Sequence, residues 1–175
     1  MLSLESPRWA SLTQSYGTAE DVPRLLEALA CMGSTEARAE VWFALWRTLH
    51  RPQEVYTASY AAVPHLLAIG LSLSARECAE AVHLVTRIEV SRCESASASM
   101  PGDLLAAYAE AVDSLPEVVA SMHSEPWTTE VAQIFAAAIL AGKRQPELAR
   151  GVLEIGHALA CPTCGADDQF AVRRD

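Results

Sequence analysis

Cys161-Pro162-Thr163-Cys164-Gly165 is the clearest chemical spacing in the chain. Two thiolates separated by two intervening residues can hold one zinc ion, and the glycine accommodates the tight turn. A closed structural site takes four ligands, and no second Cys-x-x-Cys occurs. His157 lies four residues before Cys161, and Asp167 or Asp168 follows Cys164, so these could complete a local site. A partner subunit could also supply ligands, and a metal-free, reducible pair has the same spacing. Zinc on Cys161, Cys164 and His157 is therefore an expectation. The other cysteines, Cys31, Cys78 and Cys93, are scattered, and the odd total of five does not resemble a disulfide framework. Five histidines (His50, His65, His83, His123 and His157) are dispersed. There is no H-E-x-x-H, P-loop, G-x-S-x-G or dinucleotide fingerprint. Cys78 and His83 sit five apart on one expected helix, which is poor geometry for a nucleophile and its base. The chain is expected not to be an enzyme.

Charge is distributed unevenly. From Cys93 to Gly142 there is no Lys or Arg, while Glu94, Asp103, Glu110, Asp113, Glu117, Glu125 and Glu130 all fall there. Asp103, Glu110 and Glu117 recur every seven residues with Asp113 beside them. Leu105, Tyr108, Val112, Leu115, Val119 and Met122 are expected on the opposite, apolar face. The acidic stripe Asp103, Glu110, Asp113, Glu117 is a candidate surface for a basic protein. A solvated face that keeps a helical protein soluble would read the same way. A second candidate is aromatic. Trp42 and Trp46 share a helix face, the position expected of core packed between paired helices. Tyr16, His50 and Tyr56 are expected near the ends of neighbouring helices, as a recognition patch.

The elements that must position these groups are helical. The chain has 175 residues, 51% of them hydrophobic, enough for one domain with a substantial core. It is rich in Ala and Leu and poor in Gly, which favours helix. Its 22 acidic and 13 basic residues give a net charge of −9, against a general phosphate-backbone binder and hence against a nucleic-acid partner. The start of the chain lacks the basic and apolar regions of a secretory signal. The most apolar run, Val131 to Gly142, is too short to span a bilayer. A cytoplasmic protein without a membrane partner is the expectation.

Thr18, Ser34 or Thr35, and Thr128 or Thr129 read as N-caps, Ser74 with Glu77 as a capping box, and Pro146 as a first-turn residue. Helices are expected from each, with others over Gln53–Leu71 and Gly102–Met122. Pro64 and Pro116 lie inside these last two. Ser91 to Pro101 reads as a loop, and no segment alternates with period two. The chain also repeats itself. Val22-Pro23-Arg24-Leu25-Leu26 matches Val63-Pro64-His65-Leu66-Leu67, with Leu115-Pro116-Glu117-Val118-Val119 a weaker third copy. The basic breaks His50-Arg51-Pro52-Gln53 and Lys143-Arg144-Gln145-Pro146 echo each other. A period near 40 built from two helices is the pattern of stacked helical repeats.

Ser15-Tyr16-Gly17, Asp21-Val22-Pro23, Leu45-Trp46, His50, Val55-Tyr56 and Ala62-Val63-Pro64 together resemble bacterial HEAT-repeat-like proteins. The resemblance covers roughly Trp9 to Leu71 and departs at the turn after His50. With the helical punctuation and the repeats, the expected fold is all-α: a short HEAT-like α-solenoid of about seven helices over residues 1–160, with a short C-terminal CxxC tail over 161–175. The resemblance also implies a binding scaffold, and some small acidic members look like immunity proteins that neutralise a partner toxin. The expected function is thus a protein-binding module, immunity- or antitoxin-like, occluding a basic bacterial toxin. The alternative is a zinc-stabilised scaffold or regulatory subunit without catalytic activity.

Overall fold

The computed structural model describes residues 1–94, 100–122, 126–155, 159–160 and 167–168. Eight α-helices account for most of them: α1 (Val22–Cys31), α2 (Thr35–Leu49), α3 (Thr57–Gly70), α4 (Ala75–Glu94), α5 (Gly102–Asp113), α6 (Leu115–Ser121), α7 (Thr129–Gly142) and α8 (Pro146–Glu154). The fold is all-α. No described helix is long and apolar enough to cross a membrane.

Helix starts follow local chemistry. Ser34 accepts from the Ala37 N–H and Thr128 from the Val131 N–H, each satisfying an orphan donor of the first turn. At α4, the Ser74 hydroxyl accepts from the Glu77 N–H and donates to the Glu77 carboxylate. Thr18 does not cap α1. It belongs to a small hairpin, β1 (Thr13–Gln14) paired with β2 (Gly17–Thr18). Asp21 stands at the N-cap position and accepts from the Gln14 side chain instead. The hairpin turn needs Gly17 at φ +128°, and the Ser15 N–H donates to the Thr48 carbonyl at the end of α2. The expected single helix over Gly102–Met122 is two helices meeting at Ser114, two residues before Pro116, which cannot donate to the preceding turn.

Packing is sequential. α1 packs on α2 and α3, α3 on α4 and α5, α4 on α7 and α8, and α7 on α6 and α8. First members α1, α3 and α5 follow one another in one layer. In the other, α2 meets α4 through side chains and α4 packs on α7. One core runs between them, with Trp9, Tyr60, Tyr108, Phe135, Leu26, Leu66, Leu84 and Ile88 among its fully buried side chains. Two close approaches depend on glycine. A Cβ on Gly70 would sit 2.7 Å from the Ala81 Cβ, and one on Gly142 would sit 2.6 Å from Pro116 Cδ.

The Val-Pro echo occupies unequal places. Pro23 and Pro116 are in first turns, while Pro64 is inside α3. The two basic breaks are closer equivalents, because each holds a non-glycine residue in the left-handed region, Gln53 at φ 64° and Arg144 at φ 61°. Further on, β3 (Leu159–Ala160) and β4 (Asp167–Asp168) pair antiparallel on either side of positions 161–166.

Candidate docking face across α2, α4 and α7

The acidic stripe is exposed at all four positions. Two of the four are already engaged. Asp103 pairs with Arg8 at 2.7 Å and Asp113 with Arg144 at 2.8 Å. Both arginines come from outside the base-free stretch, so the tertiary fold supplies the missing positive charge. Asp103 and Glu117 also stand in the first turns of α5 and α6, where the helix dipole favours a carboxylate. Tyr108, Val112, Leu115, Val119 and Met122 are buried as expected, but Leu105 is exposed and Leu104 takes its place in the core.

The expected aromatic patch divides in two. Tyr16 is 57% exposed at the hairpin turn, its ring beside two guanidinium groups, Arg47 at 5.5 Å and Arg51 at 5.4 Å from the centroid. Arg47 also donates twice to the Tyr16 hydroxyl, at 3.0 and 2.7 Å, and this holds the phenol below its ordinary pKa. Tyr56 lies near the same charges and donates to Glu54; burial first, then that carboxylate, pushes its phenol up to about 12.

His50 belongs elsewhere. It lies between α2 and α4, its Nε2 3.2 Å from the Ser91 hydroxyl. Trp46 meets His50 and His83 edge-on, at 5.7 and 4.9 Å between centroids. Arg87 donates from Nε to His83 Nε2 at 3.4 Å, which leaves the His83 ring proton on Nδ1. Burial, with Arg87 nearby, pushes both histidines down to about 4, so both are neutral at pH 7. Sequence spacing had no means of pairing His50 with His83, because only the α2–α4 packing brings them together.

Three hollows flank α4 on this side. One of about 520 Å³ lies between α2 and α4 and is lined by Trp42, Phe43, Trp46, Glu36, Arg76 and Glu80. A second, about 410 Å³, is lined by Arg76, Trp127, Glu130 and Phe135; a third, about 280 Å³, by His83, Arg87, Glu130 and Gln133. Trp42 is 6% exposed, as a core residue should be, but Phe43 is 64% and Trp127 44% exposed. Trp46 is half-buried and its indole N–H donates to Glu80 at 2.5 Å. Beneath the first hollow, Arg38 and Glu77 form a buried ion pair closed by Ser74 and the Met32 carbonyl. Its guanidinium holds the Glu77 carboxyl below the usual range. Trp42 and Trp46 stand out in the sequence as a shared helix face, Glu77 as a capping-box residue and Glu130 within the base-free stretch, but no local pattern brings Phe43, Glu36, Arg76, Glu80, Trp127 and Glu130 to one side of the molecule, because they come from separate elements.

Cys161, Cys164 and His157 lie outside the described residues. Among the described residues no group of three or more His, Cys, Asp or Glu side chains could hold a metal ion. Cys78 is buried, with its thiol pushed up by burial, as suits a small core residue. No protein-family model matches the chain, and no curated protein or solved structure matches it significantly.

Proposed function

We propose that this protein is a non-catalytic, immunity-type binding module that neutralises a basic toxin by occluding it. The observation that carries the reading is the face built by α2, α4 and α7. There, exposed or half-exposed Phe43 and Trp46 line one hollow with Glu36 and Glu80, and Trp127, just before α7, lines the next with Glu130. Exposed aromatic side chains grouped on one face mark interaction sites, and aromatic anchors dominate interface energetics. The net charge of −9 would steer a basic protein toward it. Helix pairs stacked in two layers are consistent with a HEAT-like scaffold presenting its second-helix layer to a partner.

The test is affinity capture from the native host, then reconstitution with the captured protein in pure form. A saturable complex with a basic protein is expected, with association slowing as salt rises and the partner's activity lost at stoichiometric ratio. A captured protein whose activity is untouched by excess of this chain would overturn the reading.

A further inference from the structure

We infer that the hollow between α2 and α4 is a receptor for a single arginine side chain of the partner protein, an inference that rests on the docking reading above. Its volume of about 520 Å³ lies within the range of sites that enclose a small ligand. Its walls offer what a guanidinium needs. Phe43 presents an exposed ring and Trp46 a half-exposed one, planes on which a flat, weakly hydrated cation stacks. Glu80 supplies a carboxylate held in place by the Trp46 indole N–H, so it needs little reorganisation to receive a second donor. Glu36 supplies another from the first turn of α2. Glu77, in the same wall, is committed to Arg38 and Ser74 and contributes no free charge.

A second observation is independent of these charges. Trp42 lines the hollow, is 6% exposed, and its indole Nε1 has no hydrogen-bond partner. A buried donor left unpaired costs free energy until an acceptor arrives. The Nε1 atom itself is buried, so the backbone carbonyl of a seated arginine residue becomes its acceptor only when the indole turns toward the hollow, whereas a free ammonium or guanidinium ion brings no acceptor at all. Arginine fits better than lysine, because the forked, planar head matches stacking and carboxylate together. Two features oppose entry, the first being the Arg47 guanidinium that already lies 5.5 Å from the Phe43 ring centroid and occupies one of its faces. The second is Arg76, which is exposed, without an ion pair among the described residues, and lines the hollow, so an incoming cation must displace it or tolerate it.

The experiment titrates the full-length, ¹⁵N-labelled protein with the peptide Ac-Gly-Arg-Gly-NH₂ while the four tryptophan indole N–H signals are followed. The same peptide with citrulline in place of arginine keeps the shape and removes the charge. Saturable shifts of the Trp42 and Trp46 signals are expected with the arginine peptide, with Trp9 and Trp127 unmoved, and none with citrulline. Phe43→Ala and Glu80→Gln should each weaken binding by about three- to tenfold. Arg76→Ala should tighten it by about twofold or more. Each variant's helical circular dichroism is checked first, and Phe43 and Arg76 are exposed enough to be replaced without loss of fold. Shifts at Trp127 instead of Trp42 and Trp46, equal response to citrulline, or indifference to all three substitutions would overturn the inference. The docking reading stands or falls separately. If the purified partner binds wild-type and Phe43→Ala protein equally, the arginine receptor fails and the docking reading survives. If no partner is neutralised, the docking reading fails whatever the peptide does.

Discussion

Residues in the second-helix layer carry unusual electrostatics at small distances. Glu77 and Arg38 are both nearly inaccessible, and each is saturated by the other and by neighbouring groups. Removing one partner leaves the other charge buried and unpaired, which costs far more than the pair contributes. Arg38→Ala is therefore expected to lower the urea denaturation midpoint, and by more than Arg38→Ala combined with Glu77→Ala. Because the Glu77 carboxyl is lowered in the folded state by Arg38, its contribution is present above its unfolded pKa and fades as pH falls through the folded one. Glu77→Gln should accordingly flatten the acid limb of the stability profile below about pH 4.5. His50 and His83 act at higher pH. Both are pushed down to about 4, so the unfolded chain binds their protons first. Their neutral burial stabilises fully above about pH 6.5 and is progressively lost toward pH 4. Proton titration followed by NMR should find both rings neutral at pH 6; an imidazolium at either position at that pH would contradict the burial of this cluster.

At the scale of elements, glycine and left-handed residues mark where helices are forced together. A Cβ on Gly70 meets Ala81, and one on Gly142 meets Pro116 and the Val112 carbonyl at 3.0 Å. Alanine is the better helix former by about 1 kcal/mol, but neither neighbour is the far end of a flexible side chain. Steric cost should win, and Gly142→Ala is expected to destabilise by about 1–3 kcal/mol in thermal or chemical unfolding. Arg144 shows the opposite balance. It occupies the left-handed residue that ends α7, with the Gln145 N–H donating to the Leu140 carbonyl at 2.9 Å as in a Schellman turn. Arg144→Gly relieves backbone strain and gives up only an exposed ion pair, so stability should stay within about 1 kcal/mol of wild type.

The same elements show what sequence could and could not convey. The starts of α2, α4, α7 and α8 were legible because Ser34, Ser74, Thr128 and Pro146 act within one turn. The β1–β2 hairpin was not, since two-residue strands have no period, and Thr18 beside acidic residues mimics a cap. The helix α4 extends into the expected Ser91–Pro101 loop as far as Glu94 because Glu89, Arg92 and Tyr108 lock its last turns, with the Tyr108 hydroxyl donating to Glu89 at 2.7 Å. That carboxylate, 1% exposed, is a long-range effect no local propensity reports. The aromatic face was half legible. Trp42 and Trp46 were visible as a shared helix face, but their neighbours Arg76 and Glu80 come from α4.

For the whole molecule, the question is whether the acidic stripe acts by contact or by field. The chain carries −9, and exposed charges farther apart than about 8 Å are largely screened at physiological ionic strength. Asp103 and Asp113 are already neutralised locally by Arg8 and Arg144, whereas Glu110 and Glu117 form no ion pair among the described residues. Two double variants separate the cases. Asp103→Asn with Asp113→Asn removes two charges but frees two arginines; Glu110→Gln with Glu117→Gln removes two charges and frees nothing. Each leaves the net charge at −7. Exposed pairs contribute roughly 0.2–1 kcal/mol each, so both variants should remain folded. If the stripe steers the basic partner only through the overall field, both should slow association to the same extent at low salt and converge at high salt. The face across α2, α4 and α7 as the contact surface requires this equal response, with dissociation unchanged in both. A selective increase of the dissociation rate in the Glu110/Glu117 variant, measured with the purified partner, would move the interface onto α5 and α6 and displace the aromatic face from the centre of binding.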